Sequence, residues 1–133
     1  MNRQAMLEGL NEAQQEAVRH IEGPLLVVAG PGSGKTRVIT RRVIHLIDCG
    51  WEPAKILAIT FTNKAAREMQ QRIEAILGQR IGGMWVGTFH GLAHRLLRAH
   101  WQDAGLPQNF QILDSDDQLR LIKRTLRALE LDE

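Results

Sequence analysis

The residues best equipped for chemistry form one run, Ala29-Gly30-Pro31-Gly32-Ser33-Gly34-Lys35-Thr36. Its alternating glycines permit torsions and a close approach that side chains obstruct, so successive backbone N–H groups can converge on an anion. In this arrangement Lys35 can reach the outer phosphates of a nucleotide, and the Thr36 hydroxyl can ligate Mg²⁺. The strict pattern opens on glycine; here that outer position, away from the phosphates, is Ala29. The competing interpretation is a glycine-rich turn with an incidental Lys-Thr pair, and the flanking elements weigh against it.

Such a loop requires a strand before it and a helix after it. Leu25 to Ala29 is a short continuous apolar run, the pattern of a strand buried on both faces of a parallel sheet. After the loop Val38, Ile39, Val43, Ile44 and Ile47 recur at helical spacing, and Gly50 falls where a left-handed cap would end that helix. Ile56 to Phe61 then reads as a second buried strand, and Asn63 to Leu77 as a helix closed by Gly78. Gly82 and Gly83 lead into a third strand, Met84 to Thr88, and Gly91 to Trp101 is again helical. Upstream, Asn11 and Gln14 have capping-box spacing for a helix running to about His20. Downstream, a loop over Asp103 to Asn109 precedes a short fourth strand, Phe110 to Leu113. Asp114 or Ser115 then caps a last amphipathic helix. The alternation predicts an α/β fold of three layers with a parallel sheet and right-handed crossovers. Ligands bind beyond the carboxyl ends of such strands, so the loops after Ala29, Phe61 and Thr88 should share one functional edge.

With 44% hydrophobic and 24% charged residues in 133, the chain has the composition of an ordinary globular domain and not of a disordered one. A net charge of +2 does not by itself identify a nucleic-acid partner. The basic residues are grouped, as Arg37, Arg41 and Arg42, as Arg95 and Arg98, and as Arg120, Lys123, Arg124 and Arg127. The last group suits a solvated helix face. The single cysteine, Cys49, excludes an internal disulfide and fits a reducing compartment. No apolar run approaches the roughly 18 residues of a membrane span, and the expected location is the cytoplasm.

Four stretches occur in the order and approximate spacing seen in superfamily 1 DNA helicases: Leu10-Asn11-Glu12-Ala13-Gln14, the glycine loop, Thr60-Phe61-Thr62-Asn63-Lys64-Ala65-Ala66, and Gly87-Thr88-Phe89-His90. The chain resembles the start of a UvrD-type enzyme, and over Met84 to Arg95 and Phe110 to Asp114 it is more similar to that branch than to Rep or PcrA. The resemblance implies an incomplete RecA-like P-loop domain over residues 1–90 and the beginning of an inserted helical subdomain over 91–133. It implies ATP and Mg²⁺ as cofactors, and 3′ to 5′ movement on single-stranded DNA and at duplex junctions. Roles in DNA repair and replication follow, with repair proteins as possible partners.

The cofactor site so implied comprises Gln14, Ala29, Gly30, Pro31, Gly32, Ser33, Gly34, Lys35, Thr36, Arg37 and Arg72, with Lys35 and Thr36 catalytic and Thr36 on the metal. Gln14 is implied to read adenine, which suits an amide that donates and accepts at once. Its spacing alone is met as well by a helix cap. Phe61 is implied to stack on a base, with Thr62, Asn63 and Lys64 on phosphates and Thr88 and His90 in a second DNA-contacting motif. Stacking suits a protein indifferent to sequence, because every base has a π face. From periodicity alone Phe61 is equally a core aromatic, and Thr88 and His90 equally a cap and an exposed imidazole. His90 and His94 lie four apart but lack the further ligands of a zinc site.

Phosphoryl transfer also needs carboxylates on the metal and arginines on the transferring phosphate. The resemblance places these, and a second motor domain, beyond Glu133. The chain is therefore expected to be an N-terminal fragment, inactive alone as a hydrolase and poorly stable where apolar sheet edges lack cover. Two other classes remain: a non-catalytic module that holds nucleotide or DNA, and a P-loop small-molecule kinase, for which no arginine-rich lid is evident.

Overall fold

The computed structural model describes residues 6–131. In chain order these form α1 (Glu12–Arg19), α2 (Lys35–Asp48), a 3-10 turn (Pro53–Lys55), β1 (Leu57–Thr60), α3 (Asn63–Leu77), β2 (Trp85–Thr88), α4 (Phe89–Ala99) and α5 (Ser115–Ala128). The class is α/β, with a short parallel sheet. The chain divides into two compact units, Met1–Arg95 and Leu96–Glu133.

Local chemistry sets the helix ends of the first unit. Asn11 and Gln14 form a reciprocal capping box: Asn11 Oδ1 accepts from Gln14 N at 2.9 Å and Gln14 Oε1 accepts from Asn11 N at 3.0 Å. The C-terminus of α2 closes in a Schellman motif, with Gly50 N donating to Ile47 O and Trp51 N to Leu46 O. Thr62 Oγ1 caps α3 by accepting from Ala65 N at 3.1 Å, and Gly78, at φ 67°, ends that helix where the pattern predicts. The core gathers Val18 from α1, Val38, Val43 and Ile44 from α2, Met69 and Ile73 from α3, and Ile56, Ala58 and Met84 beside the strands. Ile44, Ile73 and Val18 are fully enclosed. Truncating either isoleucine to alanine removes about 2–5 kcal/mol from a fold of ordinary marginal stability.

β1 and β2 run parallel in register, Leu57 opposite Trp85 and Thr60 opposite Thr88. Both strands are shorter than the apolar runs suggest, and β1 is not buried on both faces: Ala58 is enclosed, whereas Leu57 is 56% exposed. The expected strand over Leu25 to Ala29 does not form; the segment has no regular structure, and Leu26 and Val28 are 87% and 90% exposed. A continuous apolar run records what a segment could bury, but a strand exists only where a neighbouring backbone completes its ladder. Among the described residues β1 pairs with β2, and no strand pairs with 25–29.

The second unit follows other rules. Helix α4 starts in the first unit at Phe89, two residues before the expected Gly91, and its last residues, from Leu96, belong to the second, where the chain turns at 100–105 through Ala104 N to His100 O and Leu106 N to Trp101 O bonds. The fourth strand expected at Phe110 to Leu113 is also absent, since no described segment offers it a ladder. Instead the Arg98 guanidinium lies 4.8 Å from the Phe110 ring centre. Asp114, rather than Ser115, caps α5, accepting from Asp117 N at 2.8 Å. No residue of α5 is buried.

Candidate functional site

Gly32 and Gly34 take left-handed torsions, φ 73° and 83°, which side-chain-bearing residues seldom adopt. They turn the chain so that Gly34 becomes the N-cap of α2, a helix start with no side-chain cap. The amides of that first turn therefore keep donor capacity for an anion, with the positive end of the helix dipole behind them. Ser33 Oγ donates to Gly30 O at 2.6 Å, and Lys35 Nζ donates to Gly30 O at 2.7 Å and Ala29 O at 3.0 Å. A hollow of about 500 Å³ opens at this point, lined by Gln14, Gly32, Ser33, Gly34, Lys35, Thr36, Arg37 and Arg72. Three of these side chains are cationic and none is a carboxylate, so the potential inside favours a polyanion.

Eight of the predicted cofactor residues thus meet in one place. Ala29 lines an adjoining pocket of about 250 Å³ with Gln14, Ser33 and Lys35, and Gly30 contributes its carbonyl. Pro31 lines neither. Gln14 does more than cap: its Nε2 donates to Ser33 O at 3.0 Å, tying α1 to the loop. Each end of its amide keeps capacity for one further partner. Arg37 donates to Gly9 O at 3.1 Å from the start of α2. Arg72 lies 4.0 Å from Glu68 on α3, an exposed pair of little energetic weight. Arg37 and Arg72 also line a contiguous groove of about 410 Å³ with Arg41 and Thr40.

The in-register strands bring a second group together. Because Thr60 faces Thr88, the residues that follow leave the same edge of the sheet, about 5 Å apart across the strand spacing. Phe61 is 93% exposed, which excludes a core role for its ring within the described residues. Asn63 and Lys64 are exposed in the first turn of α3. Thr62 is occupied as the α3 cap, and Thr88 Oγ1 accepts from Gly91 N at 3.2 Å, while His90 is exposed. Sequence reasoning passed over Phe89 as a candidate contact. It is 65% exposed and follows β2 as Phe61 follows β1, and that equivalent position was the available signal. Nearby, the Arg95 guanidinium stacks 4.3 Å from the Trp85 ring centre, fastening α4 to β2.

Residues 10–133 match the family model described as the UvrD/REP helicase N-terminal domain. The chain is 60% identical over 129 residues to DNA helicase II of Escherichia coli (strain K12), covering 96% of this chain and 18% of that protein. It is 56% identical to DNA helicase II of Haemophilus influenzae, again over 96% and 18%. It is 52% identical to the ATP-dependent DNA helicase PcrA of Bacillus subtilis, over 96% of this chain and 17% of the relative. The chain therefore spans less than a fifth of the length of these relatives. With the family model covering nearly all of it, the chain belongs to the UvrD/REP helicase N-terminal domain family.

Proposed function

We propose that this chain is the nucleotide-binding and DNA-engaging front of an ATP-dependent helicase that moves 3′ to 5′ on single-stranded DNA, in the cytoplasm, in repair and replication. The observation that carries the reading is the cationic hollow at the start of α2, where the loop glycines, Lys35 and Thr36 meet Gln14. The donor set fits a Mg²⁺-bound nucleoside triphosphate: backbone N–H groups and an ammonium for phosphates, a hydroxyl for the metal and an amide for a base. When bound, the metal neutralises phosphate charge and polarises the transferring group. The residues here bind and orient. Lys35 exchanges its two carbonyl partners for phosphate oxygens, Thr36 offers Oγ1, and Arg37 and Arg72 approach the nucleotide from α2 and α3.

On the strand-end edge Phe61 stacks a base, and Asn63, Lys64 and His90 contact the backbone, while Thr62 and Thr88 set the starts of α3 and α4 that aim them. We assign residues 1–90 to a RecA-like P-loop domain and 91–133 to the beginning of an inserted helical subdomain; the division of compact units between Arg95 and Leu96 supports this. ATP hydrolysis by the full-length protein, measured with and without single-stranded DNA, tests the reading. Strong stimulation by DNA is expected. Turnover indifferent to DNA, coupled to phosphorylation of a metabolite, would move the assignment to a kinase.

A further inference from the structure

We propose that the groove between α2 and α3 is a second phosphate site, filled by a phosphate on the ribose of the bound nucleotide or by a separate phosphate anion. The inference rests on the nucleotide reading above and extends it to a space that reading leaves unused. The groove has a volume of about 410 Å³ and is lined by Arg37, Thr40 and Arg41 of α2 and by Arg72, Ala75 and Ile76 of α3. Arg37 and Arg72 also line the hollow of about 500 Å³ at the glycine loop, so the two spaces share this pair of guanidinium groups. A nucleotide seated in the hollow therefore has a cationic space at its side.

The spacing of the arginines on α2 builds it. Positions 37 and 41 are four apart, so they share a face of the helix, and Arg41 lies about 5.4 Å, one turn, further from the loop. Thr40 is buried, and its Oγ1 donates to Thr36 O at 2.8 Å, which fastens the first two turns together. Arg42 has a different task, donating from Nη1 to the carbonyl of Ala17 on α1 at 2.7 Å. The cluster thus divides: Arg42 fastens α1, whereas Arg37 and Arg41 line the groove.

Among the described residues no carboxylate lines the groove; Glu68, 4.0 Å from Arg72 Nη2, is exposed and outside the lining. Three guanidinium groups repel one another across a gap, and a dianion between them turns that repulsion into attraction. Ala75 and Ile76 exclude water from part of the wall, which strengthens the attraction over that at an open surface. The guanidinium fork matches phosphate oxygens two at a time, and Arg37, which gives one N–H to Gly9 O at 3.1 Å, has further donors to offer. Helix α5 supplies the contrast. Its Arg120, Lys123, Arg124 and Arg127 also recur at helical spacing, but that helix buries no residue, and its charges are screened by water.

The test is calorimetric binding to the full-length protein of three ligands: ADP, ADP carrying a further phosphate on its 2′ or 3′ hydroxyl, and inorganic pyrophosphate added after saturation with ADP. If the second phosphate is the nucleotide's own, it should tighten binding by about tenfold, and Arg41→Gln should abolish that gain while leaving the affinity for ADP unchanged. If it is separate, pyrophosphate should bind the ADP complex of the wild type, and Arg41→Gln should weaken it by about tenfold. Either result supports the site and identifies the source. Arg120→Gln removes the same charge from α5 and should change neither, so an equal loss there means general attraction of anions and overturns the inference. Binding of the second phosphate that survives Arg41→Gln overturns it too. Should that variant fail to fold, Arg41→Lys replaces it, keeping the charge and losing the fork; a smaller gain is expected, and an unchanged one is equally fatal. Wild-type protein that does not bind ADP removes the proposed function itself, whereas ADP binding with no second phosphate in either form removes this inference alone.

Discussion

Around the glycine loop, side chains are fastened to backbone: Gln14 to Asn11 and Ser33, Ser33 and Lys35 to Gly30, Arg37 to Gly9. At the ends of β1 and β2 only the threonines are engaged, each capping the following helix, while Phe61, Phe89 and His90 stand exposed. The two regions belong to the same unit, yet they are prepared in opposite ways. A ligand of one shape and charge is best met by donors set in advance, which removes the cost of ordering them at the moment of binding. A polymer of any sequence is better met by bare ring faces and a few cations, which ask nothing of base identity.

The sharpest way to break this comparison is Lys35→Ala in the full-length protein. The ammonium is exposed and held only by two loop carbonyls, so thermal unfolding should hardly move. The kcat for DNA-stimulated ATP hydrolysis should fall by about 10²–10³-fold, as when one preorganised electrostatic donor is removed. Retained hydrolysis would mean that the cationic hollow is not the catalytic cradle. Next comes Phe61→Ala. A ring 93% exposed contributes little to stability, but loss of one base stack, about 1–3 kcal/mol, should weaken single-stranded DNA binding by about tenfold or more in fluorescence anisotropy. Nucleotide affinity should stay put, and an equal loss of both would show that the two regions are not separable.

Gly34→Ala sharpens the comparison from the other side. At φ 83° a side chain is strained by about 1–2 kcal/mol, and the new Cβ would lie 3.0 Å from Gln14 Nε2, the atom that donates to Ser33. Nucleotide affinity, read by titration calorimetry, should fall by about tenfold with DNA affinity preserved. A variant with normal nucleotide binding would show that the tether between α1 and the loop is dispensable.

The helices were legible in the sequence because their signals are local. Asn11 with Gln14, Gly50 and Gly78 each act within one or two turns, and the structure uses all of them. The glycine loop was legible for the same reason, since left-handed torsions at Gly32 and Gly34 are demanded by the turn itself. Strands were the weak point. Leu25 to Ala29 and Phe110 to Leu113 have the apolar content of strands, but a ladder depends on a distant partner that composition does not record. The spacing of Gln14 gave its cap, while its bond to Ser33, nineteen positions away, is visible only once the chain is folded.

The smallest expected effect probes the cations of the strand-end edge. Lys64 lies exposed in the first turn of α3, beside the cap at Thr62, where a lysine gains nothing from the helix dipole. Under the proposed function its partner is a phosphate of the bound strand. Lys64→Ala should therefore lower single-stranded DNA affinity only a few-fold at moderate salt, and equally for every sequence. The plot of log affinity against log salt should become shallower by about 0.7, the release of one counterion from a single strand. Phe61→Ala should leave that slope alone, since stacking releases no counterions. An unchanged slope in the lysine variant, or a changed one in the phenylalanine variant, would erase the division of labour between ring and cation on this edge.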